Sequence, residues 1–331
     1  MTLRVGLDVS PLAQTRAGTA RYIRGLVAGL SEVDGIAVRP LAFGGRARAT
    51  AGLRDVAWYP AALPLLAARE RLDVLHCPTF RGPLRSRVPL VVTVHDLAVL
   101  RRPEAFNRWT RSYSRLAVPR VVRAARRVIA VSEFTRRELV ELLGVPEDRV
   151  RVIPEAPEPV FRAEGPAAEG DYVLAVATLE PRKNLERAAE AARRAGLELR
   201  LAGEAGWGRV RVDGSGVLRL GYVSDEDLAR LYRGARCLLY PSLYEGFGLP
   251  VLEAMACGTP VVTSVGGATE EVAGGAAVLV DPRDPQAIAA GIEEALGRRD
   301  ELARLGTARV RAFDPRAAAE RTAAVYREAA E

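Results

Sequence analysis

The chain has almost no lysine. Of its 48 basic residues 47 are arginine, and the one lysine is Lys183. Histidine is limited to His76 and His95, and cysteine to Cys77, Cys237 and Cys257. Three thiols far apart in apolar surroundings cannot all pair, so reduced, buried cysteines in a cytosolic protein are expected. With no Cys or His pairs at ligand spacing, an all-protein zinc site is not expected. No apolar run approaches the roughly 20 residues that a membrane span needs. The opening MTLRVGLDVS reads as a buried strand and lacks the basic-then-apolar layout of a signal peptide. Secretion and membrane spanning are therefore disfavoured, and the expected location is the cytoplasm.

What is present is soluble globular composition, 49% hydrophobic and 27% charged over 331 residues. That length exceeds one core of ordinary size, so two domains are expected. The charge is uneven. Residues 1–170 hold 27 arginines against 17 acidic residues, a net of +10, and the remainder holds 21 basic against 24 acidic residues, a net of −3. A composition that replaces lysine by arginine almost everywhere makes the surviving Lys183 notable, because an ammonium and a guanidinium are not interchangeable at a tight phosphate site.

Short apolar β-rich runs alternate with amphipathic stretches. In the first half the expected strands are Leu3–Val9, Ile36–Leu41, Val74–Cys77, Leu90–His95, Arg127–Val131 and Val150–Ile153, with helices over Gly18–Leu30, Glu104–Arg126 and Glu133–Leu143. Near-continuous apolar strands are expected where helices cover both faces of a sheet, so the class is α/β, doubly wound and parallel. Residues 154–170, with four prolines, read as a linker. A second alternation follows, with strands at Tyr172–Val176, Leu197–Leu201, Val217–Leu220, Cys237–Tyr240, Pro260–Thr263 and Ala277–Val280; Pro285–Glu331 reads as helical throughout. Two Rossmann-like halves around a proline-rich hinge imply a ligand gripped in a cleft, off the carboxyl ends of strands.

Four segments at strand ends carry the candidate chemistry. In YPSLYEGFGLPVLEAMACGTPVV, a strand ends at Tyr240 and a helix begins near Leu249, with Pro250 in its first turn. Gly246 and Gly248 permit close backbone approach, and the helix N-terminus offers N–H groups to an anion. Glu245 and Glu253 would repel phosphate, so their natural partners are sugar or ribose hydroxyls; a capped helix with a solvated glutamate is the alternative. In ATLEPRKNL, Arg182 and Lys183 suit a diphosphate, with Asn184 placed to cap the next helix; a solvated turn is the alternative. In RAGTARY, Gly18 lies in the loop after the first strand, either an ordinary turn or a close approach to phosphate. His76 and His95 each close a strand, structural or facing the cleft, and the balance favours a role for His95.

The run EGFGLPVLEAMACGTPVV resembles the carboxylate signature of the retaining glycosyltransferases of family 4, which adopt the GT-B fold. Further similar stretches, LDVSPL, AGTARY, VVTVHDLAVLRRPE, VSEFTRREL, ATLEPRKN and LGYVSDEDLARLY, cover nearly the whole chain in order. The resemblance implies two Rossmann-like domains with parallel sheets facing across a cleft. Residues 1–158 would bind the acceptor, 159–312 the nucleotide-sugar, and a C-terminal helix over 313–331 would return to the first domain. It implies that Glu245 holds donor-sugar hydroxyls and Glu253 the ribose. Backbone amides around Gly246, Phe247, Gly248 and Leu249 would bind sugar and phosphate. Arg182 and Lys183 would neutralise the diphosphate with Gly18 approaching it, Tyr222 and Val223 would meet the base, and His95 would lie near the reacting face of the sugar. Two departures stand out: Ala177-Thr178 replaces a common Gly-Arg, for which Arg182 is the candidate substitute, and the loop at Gly18 has one glycine where many relatives have two.

The implied reaction is retaining transfer of a hexose, mannose first among them, from a GDP- or UDP-sugar to a hydroxyl acceptor in polysaccharide, lipopolysaccharide or glycolipid synthesis. It would use no cofactor and no metal. A nucleotide-sugar epimerase on the same fold is a rival that the scarcity of histidine disfavours; a non-catalytic module binding nucleotide-sugar or nucleic acid is another. The arginine-rich stretch Glu104–Arg127 interleaves Phe106, Trp109, Tyr113 and Leu116, predicting an aromatic face and a cationic face. It reads as a packed helix with solvated arginines or as a peripheral dock on the anionic inner face of the cell membrane, compatible with a lipid-linked acceptor. No nucleic-acid recognition motif accompanies it.

Overall fold

The computed structural model describes residues 2–15, 18–45, 48–106, 108–206, 210–212 and 214–331, with residues 48, 49, 51 and 109 described by their backbone alone. The chain divides into two compact units. Unit 1 comprises residues 1–101, 107–156 and 314–331, and unit 2 comprises residues 102–106 and 157–313.

Unit 1 is built on a six-stranded parallel sheet of β1 (Leu3–Asp8), β2 (Ile36–Leu41), β3 (Val74–Cys77), β4 (Leu90–Val94), β5 (Arg127–Ala130) and β6 (Val150–Val152), in the order β2-β1-β3-β4-β5-β6. All residues of β3 and β4 are buried, which is why both strands read as uninterrupted apolar runs. Helices α1 (Gly18–Ser31) and α2 (Arg108–Ala124) belong to this unit. Helix α2 stops short of the expected Arg126, because Arg126 N donates to Leu90 O at 2.7 Å and Arg127 opens β5. At its other end, the expected start at Glu104 gives way to a separate short turn, Pro103–Ala105.

Unit 2 carries β7 (Tyr172–Val176), β8 (Glu198–Ala202), β9 (Val217–Gly221), β10 (Leu238–Tyr240), β11 (Val261–Ser264) and β12 (Val278–Val280), all parallel, in the order β12-β11-β10-β7-β8-β9. The chain order reverses beside β7 and β10, the switch point at which open α/β sheets hold ligands. Helices α3 (Leu185–Arg194) and α4 (Leu249–Ala256) start just beyond these two strands. The core joins the β7, β8 and β11 side chains Val173, Leu199 and Val262 to the helical residues Ala188, Ile288 and Ile292.

Residues 285–330 form three helices rather than one: Pro285–Gly297, Arg299–Val310 and α5 (Pro315–Ala330). The second break has a plain cause. The Asp314 carboxylate accepts from Arg316 N, and Pro315 occupies the first turn, so a new helix must begin there. Helix α5 packs into unit 1. Its Ala323, Val325, Tyr326 and Ala329 share a core with Val5, Leu7, Leu30, Val91 and Ile129. The approach to α1 is close: a side chain at Gly29 would put its first carbon 2.8 Å from the Ala319 methyl.

Candidate active site

In unit 2 the turn after β7 and the loop after β10 are sewn together. Leu243 N donates to Arg182 O at 2.8 Å, and Arg182 Nη1 donates to Tyr244 O at 3.1 Å. Asn184 takes a left-handed conformation, φ 58°, which asparagine tolerates better than most residues. It stands at the start of α3 without capping it: its amide donates instead to Pro241 O and Pro282 O, at 2.9 and 2.6 Å. The expected cap is thus a brace between three segments.

That brace holds a charged cluster. The Glu245 carboxylate accepts from Arg182 Nη1 at 2.9 Å through Oε2 and from Lys183 Nζ at 2.7 Å through Oε1. The Tyr240 hydroxyl donates to the same Oε1 at 2.8 Å and accepts from Lys183 at 3.0 Å. Arg182 Nε pairs with Glu180 Oε2 at 2.8 Å. Lys183 also lies 5.3 Å from the centre of the Tyr240 ring. All these side chains are largely buried. Burial alone would raise the Glu245 pKa, but Lys183 and Arg182 lower it to about 2, so the carboxylate is ionised at any physiological pH. Glu180 moves the other way, its pKa raised by burial against the pull of Arg182 and Lys183.

Beyond Glu245 come Gly246, Phe247 and Gly248, then α4. Gly248 has φ 119°, a conformation that favours glycine, and no side chain caps the helix behind it. The first turn of α4 contains no acidic residue. Phe247 stacks edge-on against Phe313 at 6.0 Å, and Leu249 is buried. Glu253 lies one turn into α4, wholly buried, and accepts a hydrogen bond of 2.8 Å from the Tyr232 hydroxyl. Tyr222, half exposed, and Val223 follow β9 and precede the helix Asp225–Gly234, which Ser224 caps.

Gly18 and His95 belong to unit 1. Gly18 opens α1 rather than lying in the loop before it, and its neighbour Ala17 lies outside the described residues. His95 follows β4, its Nδ1 2.6 Å from Glu155 Oε1 and its Nε2 3.0 Å from Pro78 O. The Tyr22 ring, on α1, meets the His95 ring edge-on at 4.7 Å. His76 is structural: fully buried, it contacts the Tyr326 hydroxyl through Nδ1 at 2.7 Å and Thr93 Oγ1 through Nε2 at 2.9 Å. Burial lowers its pKa to about 3, so it is neutral.

The structure therefore brings Arg182, Lys183 and Glu245 into direct contact and places Gly246–Leu249 on the same loop and helix start. Glu155, Glu180, Tyr232 and Tyr240 escaped the sequence reading. Of these only Tyr240 had a signal, since it closes a strand. On α2 the outward residues include Arg108, Arg111, Arg115, Arg120 and Arg123 together with Leu116, while Tyr113 is half-buried. Leu116 is exposed alongside these arginines, and the Trp109 side chain lies outside the described residues. Among the described residues, no helix is long and apolar enough to cross a membrane and no group of three or more metal-ligating side chains occurs.

Comparison with known proteins matches the chain to two family models, Glycosyltransferase Family 4 over residues 16–156 and Glycosyl transferases group 1 over residues 158–309. It is 36% identical over 270 residues to O-antigen chain mannosyltransferase B of Escherichia coli, covering 73% of this chain and 70% of that one. The chain is a family 4 glycosyltransferase. This glycosyltransferase is also 30% identical over 369 residues to the D-inositol 3-phosphate glycosyltransferase of Acidothermus cellulolyticus, covering 97% of this chain and 79% of the relative. Its fold resembles that of Anabaena Alr3699/HepE in complex with UDP-glucose, with a TM-score of 0.75 at 18% identity, covering 97% of this chain and 98% of that one. The glycosyltransferase is thus a hexosyltransferase with the GT-B fold.

Proposed function

We propose that this enzyme transfers a hexose, mannose first among the choices, from a GDP- or UDP-sugar to a hydroxyl of a polysaccharide, lipopolysaccharide or glycolipid acceptor, with retention of configuration and without a metal. The observation that carries the reading is the contact of Lys183 and Arg182 with Glu245 at the carboxyl ends of β7 and β10. Breaking the anomeric C–O bond leaves the sugar oxocarbenium-like and puts negative charge on the phosphate oxygen. Cations fixed before the reaction, together with N–H dipoles at an uncapped helix start, stabilise that charge without reorganising. In this reading Lys183 and Arg182 face the diphosphate, Glu245 turns its oxygens to sugar hydroxyls, and Glu253 meets the ribose. Gly246–Leu249 bind sugar and phosphate, Tyr222 and Val223 meet the base, and Gly18 and His95 act from unit 1, which takes the acceptor. The relatives support the class of substrate: one is named for O-antigen chain mannosyl transfer, and a fold neighbour holds UDP-glucose.

The enzyme would work in the cytoplasm, peripheral on an anionic membrane surface. Helix α2 exposes five arginines along its length and also Leu116, which is 61% exposed, a combination suited to phospholipid headgroups and the acyl boundary beneath them. Co-sedimentation with anionic but not neutral vesicles, weakened in Leu116→Ser, is the expected result.

The deciding experiment is a thermal-shift screen of GDP-, UDP-, ADP- and dTDP-sugars against wild type and Lys183→Ala, with and without EDTA. A ligand that binds only the native state raises the melting temperature with its concentration. One nucleotide series should stabilise wild type, not the variant, and EDTA should leave the effect intact. No stabilisation by any of the four series would overturn the reading.

A further inference from the structure

The two nitrogens of His95 both face atoms that accept hydrogen bonds. Pro78 O is a carbonyl and can only accept, so Nε2, 3.0 Å away, carries a hydrogen. The remaining nitrogen, Nδ1, lies 2.6 Å from Glu155 Oε1, close enough that one proton must lie between them. An imidazole is more basic than a carboxylate by roughly two pK units, which puts that proton on nitrogen. Glu155 itself is buried, where an unpaired carboxylate would be costly, and His95 is the partner that offsets its charge.

We infer that Glu155 is a positioning residue that holds His95 as an imidazolium, with both ring N–H groups already committed within unit 1. A ring protonated at both nitrogens has no lone pair with which to take a proton from an acceptor hydroxyl. His95 therefore serves as a fixed positive charge of set orientation, and the base that receives the acceptor proton is another group. The consequence for transfer rests on the function proposed above, whereas the charge state does not.

The surroundings agree. Burial works against the charged form, but the hydrogen bond and charge of Glu155, the Pro78 carbonyl and the charge of Asp96 together raise the His95 pKa above its ordinary value. The other groups facing the ring leave this balance in place. Tyr22 presents its ring edge-on, with its hydroxyl against Thr93 Oγ1 at 3.0 Å and its own pKa raised, and His76 is neutral.

A chain with two histidines allows a direct test. In protein labelled with nitrogen-15 in histidine, wild type at pH 7.5 should show one ring with both nitrogens protonated and one neutral ring, the latter identified as His76 by its insensitivity to pH down to about 4. In Glu155→Gln the protonated ring should become neutral at pH 7.5, its titration midpoint falling by at least one unit, and Glu155→Asp should restore part of the shift. The alkaline limb of kcat for glycosyl transfer should move to lower pH in Glu155→Gln in parallel. Two neutral rings in wild type at pH 7.5 would overturn the inference without any variant, as would an unmoved midpoint in a folded Glu155→Gln. Charged His95 in a protein that transfers no sugar from any donor would leave the inference standing and overturn the functional reading instead.

Discussion

Lys183 Nζ and Glu245 Oε1 lie 2.7 Å apart, and the Tyr240 hydroxyl touches both. The only lysine of the chain is therefore locked to a carboxylate whose other oxygen holds an arginine. Lys183→Ala is expected to lower kcat by about a hundredfold to a thousandfold, the usual loss when one preorganised charge or donor is removed from a transition-state site. Lys183→Arg is expected to recover little of it, because a planar guanidinium cannot occupy the position of a compact ammonium between Tyr240 and Glu245. Steady-state kinetics of the two variants beside wild type check this.

Tyr240 is the second test of the same cluster. Its ring fills a buried position and its hydroxyl orients Glu245, so Tyr240→Phe removes the polar role alone. A loss of about 1 kcal/mol in stability is expected from the missing hydrogen bond, together with a fall in kcat larger than any change in donor KM. A variant indistinguishable from wild type in both would show that Glu245 is held well enough by its two cations.

Acid should loosen this unit in a defined window. The Glu245 pKa is lowered to about 2 from an ordinary 4.5, so its ion pairs stabilise the fold fully above that ordinary value and progressively less as the pH falls toward 2. The melting-temperature advantage of wild type over Glu245→Gln should be constant near neutrality and shrink between about pH 4.5 and 2.

The inner strands were readable because both their faces are covered, so burial writes itself as apolar runs, and all the expected strand ends fall within a residue of those observed. Lys183 and Glu245 were readable for a different reason: each stands at a strand's carboxyl end beside turn residues. Glu155 was not, because its role depends on His95, 60 positions away, and no local pattern links a carboxylate to an imidazole in another loop. Nor was the side-chain brace at Asn184, since the two carbonyls it reaches belong to remote segments. The helical residues 48–69, which contain Pro60, show no clean period and gave no local signal.

Helix α5 supplies a further prediction. Tyr326 fills the core of unit 1 and its hydroxyl meets His76, while Glu328 accepts from Arg127 and Arg151 at 3.0 and 2.7 Å. Deleting residues 314–331 should unfold unit 1 selectively, since it opens the core and strands a buried polar nitrogen. Limited proteolysis followed by mass spectrometry should show unit 2 surviving where unit 1 is cut.

Because residues of unit 1 lie on both sides of residues 157–313, the ribosome delivers that unit in two instalments. Residues 157–313 emerge as a stretch able to collapse on itself, while the earlier sheet must wait, unclosed, for residues 314–331 to follow. Domains usually fold in the order in which they are made. Here the second is free to finish first, and the apolar surface awaiting Tyr326 and Val325 is what a nascent-chain chaperone would have to shield in the interval.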